Sequence, residues 1–392
     1  MDNLRTTPSL LTGLSIDQDS SPILTSAKVR SPTGRPLTKA ALQFPKSRPT
    51  ELKVRWSLLR DQSAEPDGLR IDLTLNAKCL GGFEFAPVPR GIEAVCPDLA
   101  AALLLGAIAD LDHDGLVPGS IIVRFPDALH PGWAEVFDRY CAITGRPSIR
   151  LSAQPWSQRQ QTPQGRVALV SGGKDTLAAL TRASRQAPLA GTAAVYLGAG
   201  AEDGWRIEIC SVRRVVAHYG MTLHHVQMFR YPHSHRGALR FSGRAAWRET
   251  FLICLARSLG REIITGINDD ALSRLEPPYN TDRHVVPFFG QLRPTIEALQ
   301  NILDCEIHML PGEFLVYALM RKDPLYEPSG SCLLPDSCSS HHPCNKCHTF
   351  RVYNKVLSGK RLSADDISFI HSPGWLGDAS LRSFYLRLDH AA

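Results

Sequence analysis

Two stretches early in the chain alternate apolar and polar residues with the period of a half-buried strand, Leu52-Lys53-Val54-Arg55-Trp56 and Leu69-Arg70-Ile71-Asp72-Leu73-Thr74-Leu75. Residues 99–111 are almost continuously apolar. Gly106 and Asp110 interrupt that run, and it falls short of the ~20 residues a bilayer crossing needs, so it predicts a buried helix and no membrane span. A strand at residues 121–123, a helix at 134–143 and a strand at 148–151 complete an α+β unit expected to have its own core. The Gln-, Pro- and Ser-rich segment 154–165 reads as a linker. Beyond it, strands at Val167, 192–196, 223–227 and 262–265 alternate with helical stretches opening near Asp175, Trp205 and Ala246. That alternation predicts an α/β fold with a doubly wound parallel sheet, whose ligands bind at the carboxyl ends of strands. Residues 1–50, rich in Ser, Thr and Pro without periodicity, are expected to form a flexible arm. The expected organisation is an arm (1–50), an N-terminal α+β domain (51–153) and a larger α/β domain (165–392). The hydrophobic share of 43% is enough for ordinary cores in both.

The strand Val167-Ala168-Leu169-Val170 runs directly into Ser171-Gly172-Gly173-Lys174-Asp175-Thr176-Leu177. Such a turn suits phosphate. Gly172 and Gly173 let the backbone approach an anion, Ser171 and Thr176 add hydroxyls, and a helix opening at Lys174 turns its positive end to the same point. Asp175 is out of place beside phosphates unless a divalent cation such as Mg²⁺ is held there. A Walker A loop fails on spacing, because Ala168 stands where it needs glycine and Asp175 where it needs Ser or Thr. The competing reading is a tight strand-to-helix turn that holds no ligand. Tyr196 and Gly266 also fall at predicted strand ends, so both should meet this turn in one cleft.

Six of the ten cysteines are scattered through apolar sequence and read as small buried hydrophobes; the other four, Cys332, Cys338, Cys344 and Cys347, lie close together. Short loops that converge four thiolates make a structural Zn²⁺ site, with His341, His342 and His348 each able to replace one sulfur. Disulfides and unligated thiols are the alternatives. Residues 1–14 lack the basic start and apolar core of a secretion signal, so a reducing, cytoplasmic setting is expected.

Ser171-Gly172-Gly173-Lys174-Asp175-Thr176 resembles the PP-loop, SGGxD[ST], of the ATP pyrophosphatases. A PP-loop followed by a C-terminal cysteine cluster resembles the QueC-like, or 7-cyano-7-deazaguanine synthase, family. Between the two motifs the resemblance rests on Gly243-Arg244 at a helix start, Gly266-Ile267-Asn268-Asp269-Asp270 after a strand, Tyr279-Asn280-Thr281-Asp282-Arg283, Pro311-Gly312-Glu313-Phe314 and Ser331-Cys332. It covers residues 165–357, roughly half the chain.

The resemblance implies ATP cleaved between the α and β phosphates. Ser171, Gly172, Gly173, Asp175, Thr176 and Tyr196 would hold the nucleotide, Asp175 would hold Mg²⁺, and Lys174 and Arg244 would neutralise the departing pyrophosphate. It further implies that Gly266, Asn268, Asp269, Asp282 and Arg283 hold a deazaguanine-type carboxylate, which is adenylated and passed to an amine, either ammonia or a protein amine. The chain departs from the family in several places. Lys174 and Thr176 replace the commoner leucine and serine, Ala245 replaces an asparagine, and Phe350 follows the Cys344-x-x-Cys347 pair where a further cysteine is usual, so Cys338 must complete the zinc set.

About 160 residues precede the turn, an added domain's worth. In that layout the chain is similar to QueC-like proteins of antiphage defence operons, including those of CBASS type, which implies a protein partner. The leading expectation is therefore an amide-forming ligase. A housekeeping nitrile synthase, a PP-loop tRNA-modifying enzyme and a nucleotide-binding protein without turnover are the alternatives. Thiolation wants a reactive thiol near the turn, yet no cysteine lies between Cys141 and Cys210. The formal charge of +6 is mild, and residues 228–236, a basic aromatic stretch, read more simply as a solvated loop than as a nucleic-acid contact. A homodimer is admitted.

Overall fold

The computed structural model describes residues 50–60, 65–76, 78–113, 119–156, 163–199, 203–231, 247–268, 292–320, 323, 325, 345–372, 375 and 381–382. The expected arm therefore lies almost wholly outside the described residues. β1 (Thr50–Leu59), β2 (Gly68–Leu75) and β3 (Lys78–Ala86) form an antiparallel meander. After α1 (Cys96–His113), β4 (Ile121–Ala128) lies parallel to β1; after α2 (Gly132–Thr144), β5 (Ile149–Gln154) lies parallel to β4. The second half runs β6 (Arg166–Leu169), α3 (Lys174–Ser184), β7 (Ala193–Ala199), α4 (Asp203–Tyr219), β8 (Thr222–Tyr231), α5 (Trp247–Arg257), β9 (Glu262–Asn268), α6 (Leu292–Leu303) and β10 (Glu306–Leu310). α7 (Glu313–Met320), α8 (Asn345–Leu357) and α9 (Ala364–His371) follow.

The ten strands among the described residues belong to one sheet in the order β10-β9-β6-β7-β8-β3-β2-β1-β4-β5. The five from β10 to β8 are mutually parallel, as expected. The sheet as a whole is mixed, because β8 pairs antiparallel with β3, from Gly82↔Tyr231 to Ala86↔Gln227. Parallel strands must be covered on both faces, and β6 shows how. Val167 and Leu169 join the cluster that includes buried residues of α1, α5 and α6, while Ala168 and Val170 join the one with α3 and α4.

The expectation of a separate N-terminal core is not what the structure shows. One hydrophobic cluster runs from Leu52 on β1 through α1 and α5 to Cys305. Phe85 of β3 stacks on Phe251 of α5 with ring centroids 4.6 Å apart, and a Cβ on Gly132, at the start of α2, would come within 2.8 Å of Ile302 on α6. The physical reason is the edge of β8, whose N–H and C=O groups need a partner that β3 supplies. Residues 228–231, expected in a loop, are the part of β8 that makes this pairing.

Among the described residues one span, Ile92–Asp112, is long and apolar enough to cross a membrane. It is a core helix, 83% buried inside the fold. Two of its polar residues are used internally, with Asp98 accepting from Trp133 Nε1 at 2.8 Å and Asp112 accepting from Tyr140 Oη at 2.9 Å and pairing with Arg146.

Candidate functional site at the phosphate turn

The turn after β6 is fixed on three sides. Val170 N–H donates to Val195 O at 3.0 Å and ties it to β7. Gly172 has φ 68° and a Cβ there would lie 2.7 Å from Ser211 Cβ and 2.9 Å from Val212 N, so α4 packs where any side chain would stand. On the other side, a Cβ on Gly266 would meet Asp175 C and Thr176 N at 2.8 Å. β9 neighbours β6 in the sheet, and only a glycine lets the first turn of α3 rest on it this closely.

Within the turn, Ser171 N–H donates to Thr176 Oγ1 at 3.1 Å and the two hydroxyls lie 2.9 Å apart. Thr176 is buried beneath them. Gly173 is the N-cap of α3, in extended backbone, and no side chain caps the helix there. A helix that opens on glycine without a side-chain cap directs its first N–H groups and its dipole at whatever anion comes to the turn. The expected convergence of the turn with Gly266 is thus present in the backbone.

Lys174 and Asp175, adjacent in sequence, form a pair, with Lys174 Nζ 2.9 and 3.1 Å from the two carboxylate oxygens. The same ammonium sits 5.1 Å above the Tyr317 ring of α7, and only 12% of the lysine side chain is exposed against 37% of the aspartate's. Asp175 therefore presents carboxylate at the surface of the turn while a cation already lies beside it. A half-exposed carboxylate in the first turn of an uncapped helix suits Mg²⁺ shared with phosphate oxygens.

Tyr196 is placed differently from the expectation of direct nucleotide contact. It is 1% exposed and its hydroxyl donates to Glu208 Oε2 of α4 at 3.2 Å. Burial and that carboxylate push its pKa up. Its ring lies 5.2 Å from His225 on β8, so it anchors α4, the helix against which Gly172 packs.

Arg248 was not singled out by the sequence. It stands in the first turn of α5 and donates from Nη2 to Leu197 O at 3.1 Å, which puts a guanidinium near the carboxyl end of β7, the strand paired with β6. The next residue, Glu249, has its Oε2 buried with no hydrogen-bond partner among the described residues, and burial raises its pKa. Nothing in the sequence around it told Arg248 from a solvated helix-start arginine.

Several candidates lie outside the described residues: Arg244, Asp269, Asp282, Arg283, Cys332, Cys338 and Cys344. Asn268 closes β9 with its backbone paired to Leu310. Cys347 is half-buried in the first turn of α8 and in no disulfide. Among the described residues no group of three candidate ligands converges, so a zinc site depends on the other three cysteines, whose chemistry suits it. His348 is engaged otherwise, stacked on Phe369 at 3.8 Å with Nε2 3.7 Å from Asp366.

No protein-family model matches the chain, and no curated protein matches it in sequence. Among solved structures it is similar to the U34-tRNA thiolase NcsA from Methanococcus maripaludis with its 4Fe-4S cluster, at 15% identity over 59% of this chain and 82% of that one, with a TM-score of 0.28. A TM-score that low leaves the chemistry to be read from the residues themselves.

Proposed function

We propose that the chain is an ATP-consuming enzyme of the PP-loop type, holding the nucleotide's phosphates in the turn 171–176. The observation that carries this reading is the glycine-bound turn, wedged between α4 and β9 and opening onto an uncapped helix whose first turn holds Asp175. Mg²⁺ at Asp175 would shield the phosphate charge. Lys174 would supply a cation to a leaving pyrophosphate, and Arg248, near the carboxyl end of the neighbouring strand β7, is the candidate for the role first expected of Arg244.

The finer reading is QueC-like ligation. A carboxylate oxygen attacks the α phosphorus, pyrophosphate leaves, and an amine then attacks the acyl carbon, expelling AMP and losing a proton. Gly266, Asn268, Asp269, Asp282 and Arg283 would hold the deazaguanine-type acid, and Cys332, Cys338, Cys344 and Cys347 would hold structural Zn²⁺. An acceptor bound by residues 51–153, a protein amine of a defence partner among them, would rest on the same sheet as the turn. A small amine such as ammonia needs no such platform.

The test is release of pyrophosphate and AMP from ATP, stimulated by 7-carboxy-7-deazaguanine and abolished in Asp175→Ala. Release of ADP and phosphate overturns the α–β cleavage. Stimulation by tRNA and not by the acid overturns the ligase reading in favour of tRNA modification.

A further inference from the structure

At the far end of α3 from the phosphate turn lies a cleft of about 210 Å³. Its wall is the last half of α3, its floor β9 and β10, and its rim the first residues of β6 and β9. The opening exists because α3 presents Ala183 there, too small to reach the edge strand β10, and Ile264 leaves the floor apolar.

The hydrogen-bond donors around this cleft are unevenly paired. Glu262 is engaged twice, accepting from Arg166 Nε at 3.0 Å and lying 3.4 Å from His308 Nε2. Arg182 donates from Nη1 to the Met309 carbonyl at 3.2 Å and makes no ion pair among the described residues. A second carboxylate, Glu306, lies 3.9 Å from His308 Nε2, so the formal charges are matched, yet Arg182 keeps a guanidinium outside any ion pair and Arg166 Nη1 is buried without a hydrogen-bond partner among the described residues. Surplus guanidinium donors select an acceptor, and a charged one most strongly. The apolar wall and floor select its other part, since an inorganic ion would leave Ala183 and Ile264 against water. A guanidinium fork matches a planar carboxylate bidentately. The volume equals that of about seven waters at ~30 Å³ each, room for an acid of a few carbons.

We propose that this cleft binds a short-chain organic carboxylate, its carboxylate on Arg182 and its carbon chain on Ala183 and Ile264. The cleft and the phosphate turn share α3 and the strands β6 and β9 but no lining residue, so the proposal is tested without nucleotide.

Butyrate is the probe, titrated into the full chain in the absence of ATP and followed by ligand-observed NMR. Saturable binding is expected, with butyramide, its uncharged isostere, weaker by about tenfold or more. Arg182→Met should weaken butyrate by a similar factor while leaving butyramide unchanged. Ala183→Leu, which fills the wall and keeps both arginines, should remove binding of both. Circular dichroism confirms that each variant is folded, and either variant alone decides the matter. Equal binding of butyrate and butyramide, butyrate binding unaffected by a folded variant, absence of saturable binding, or displacement of butyrate by millimolar inorganic phosphate with equal affinity each overturns the proposal.

Discussion

In the N-terminal half of the sheet, Asp112 and Arg146 pair with side chains only 8% and 5% exposed, and Tyr140 and the Gly119 carbonyl complete their hydrogen bonds. In the parallel half, Asp175 pairs with Lys174 in the first turn of a helix, with more than a third of its carboxylate side chain exposed. The two ion pairs look alike on paper, but they differ in what surrounds them. The first closes a gap between α1, α2 and the loop ahead of β4, where removing one partner strands a buried charge. The second lies where three glycines have cleared space and no side chain caps the helix. The first pair is interior scaffolding; the second is held at a surface that a ligand can reach.

Substitutions can separate the two roles. The largest effect on stability is expected from Arg146→Ala, which leaves Asp112 buried and unpaired and should cost about 3–5 kcal/mol, read from urea unfolding, with turnover per folded molecule unchanged at low temperature. A loss below about 1 kcal/mol would place this pair with the weak surface bridges. Gly266→Val should act in reverse. Its side chain must displace the Asp175–Thr176 backbone, so pyrophosphate release should fall about 100-fold while overpacking costs only about 1–3 kcal/mol. Undiminished turnover would show that the contact between β9 and the turn is incidental. Arg248→Met should lower turnover by about tenfold with little change in unfolding midpoint, as one charge-assisted contact to a leaving group would; a variant that merely melts earlier would move Arg248 to the scaffold. The smallest effect concerns pH. Burial lowers the pKa of His224 and, with help from Arg213, of His225 on β8. The stability due to keeping them neutral is present above the ordinary histidine value of about 6.5 and is lost as pH falls through it. The urea midpoint should therefore drop modestly between pH 7.5 and 5.5, and His224→Gln with His225→Gln should flatten that slope.

What the sequence disclosed was local. The β6 turn is legible because glycine, hydroxyl and carboxylate stand within six residues, and β9 because its apolar run ends on Gly266. β3 was missed because Gly81 and Gly82 break the strand pattern. Gly81 has φ 143° beside a register shift in the pairing with β2, and a Cβ on Gly82 would strike Asp72. The full length of β8 was missed because its last residues are charged and aromatic, and only pairing with β3 makes them a strand. Arg248 could not be told from a solvated helix-start arginine until Leu197 O was placed beside it. Each of these depends on a partner far away in sequence.

The pairing of β3 with β8 also sets an order of assembly. Translation delivers β3 well before β8, so the N-terminal meander must wait with an open edge while the intervening residues are made, and the phosphate turn cannot be braced until Gly266 follows. Non-local pairings of this kind slow folding and prolong exposure of unpaired strands. A gene fragment encoding only residues 165–392 would emerge with β8 bare and the inner face of α5 stripped of Phe85, a template for association with other copies of itself. Severing the chain between β5 and β6 in the folded protein is a different matter, because both pieces would already be stitched along the seam and should stay together as a nicked whole.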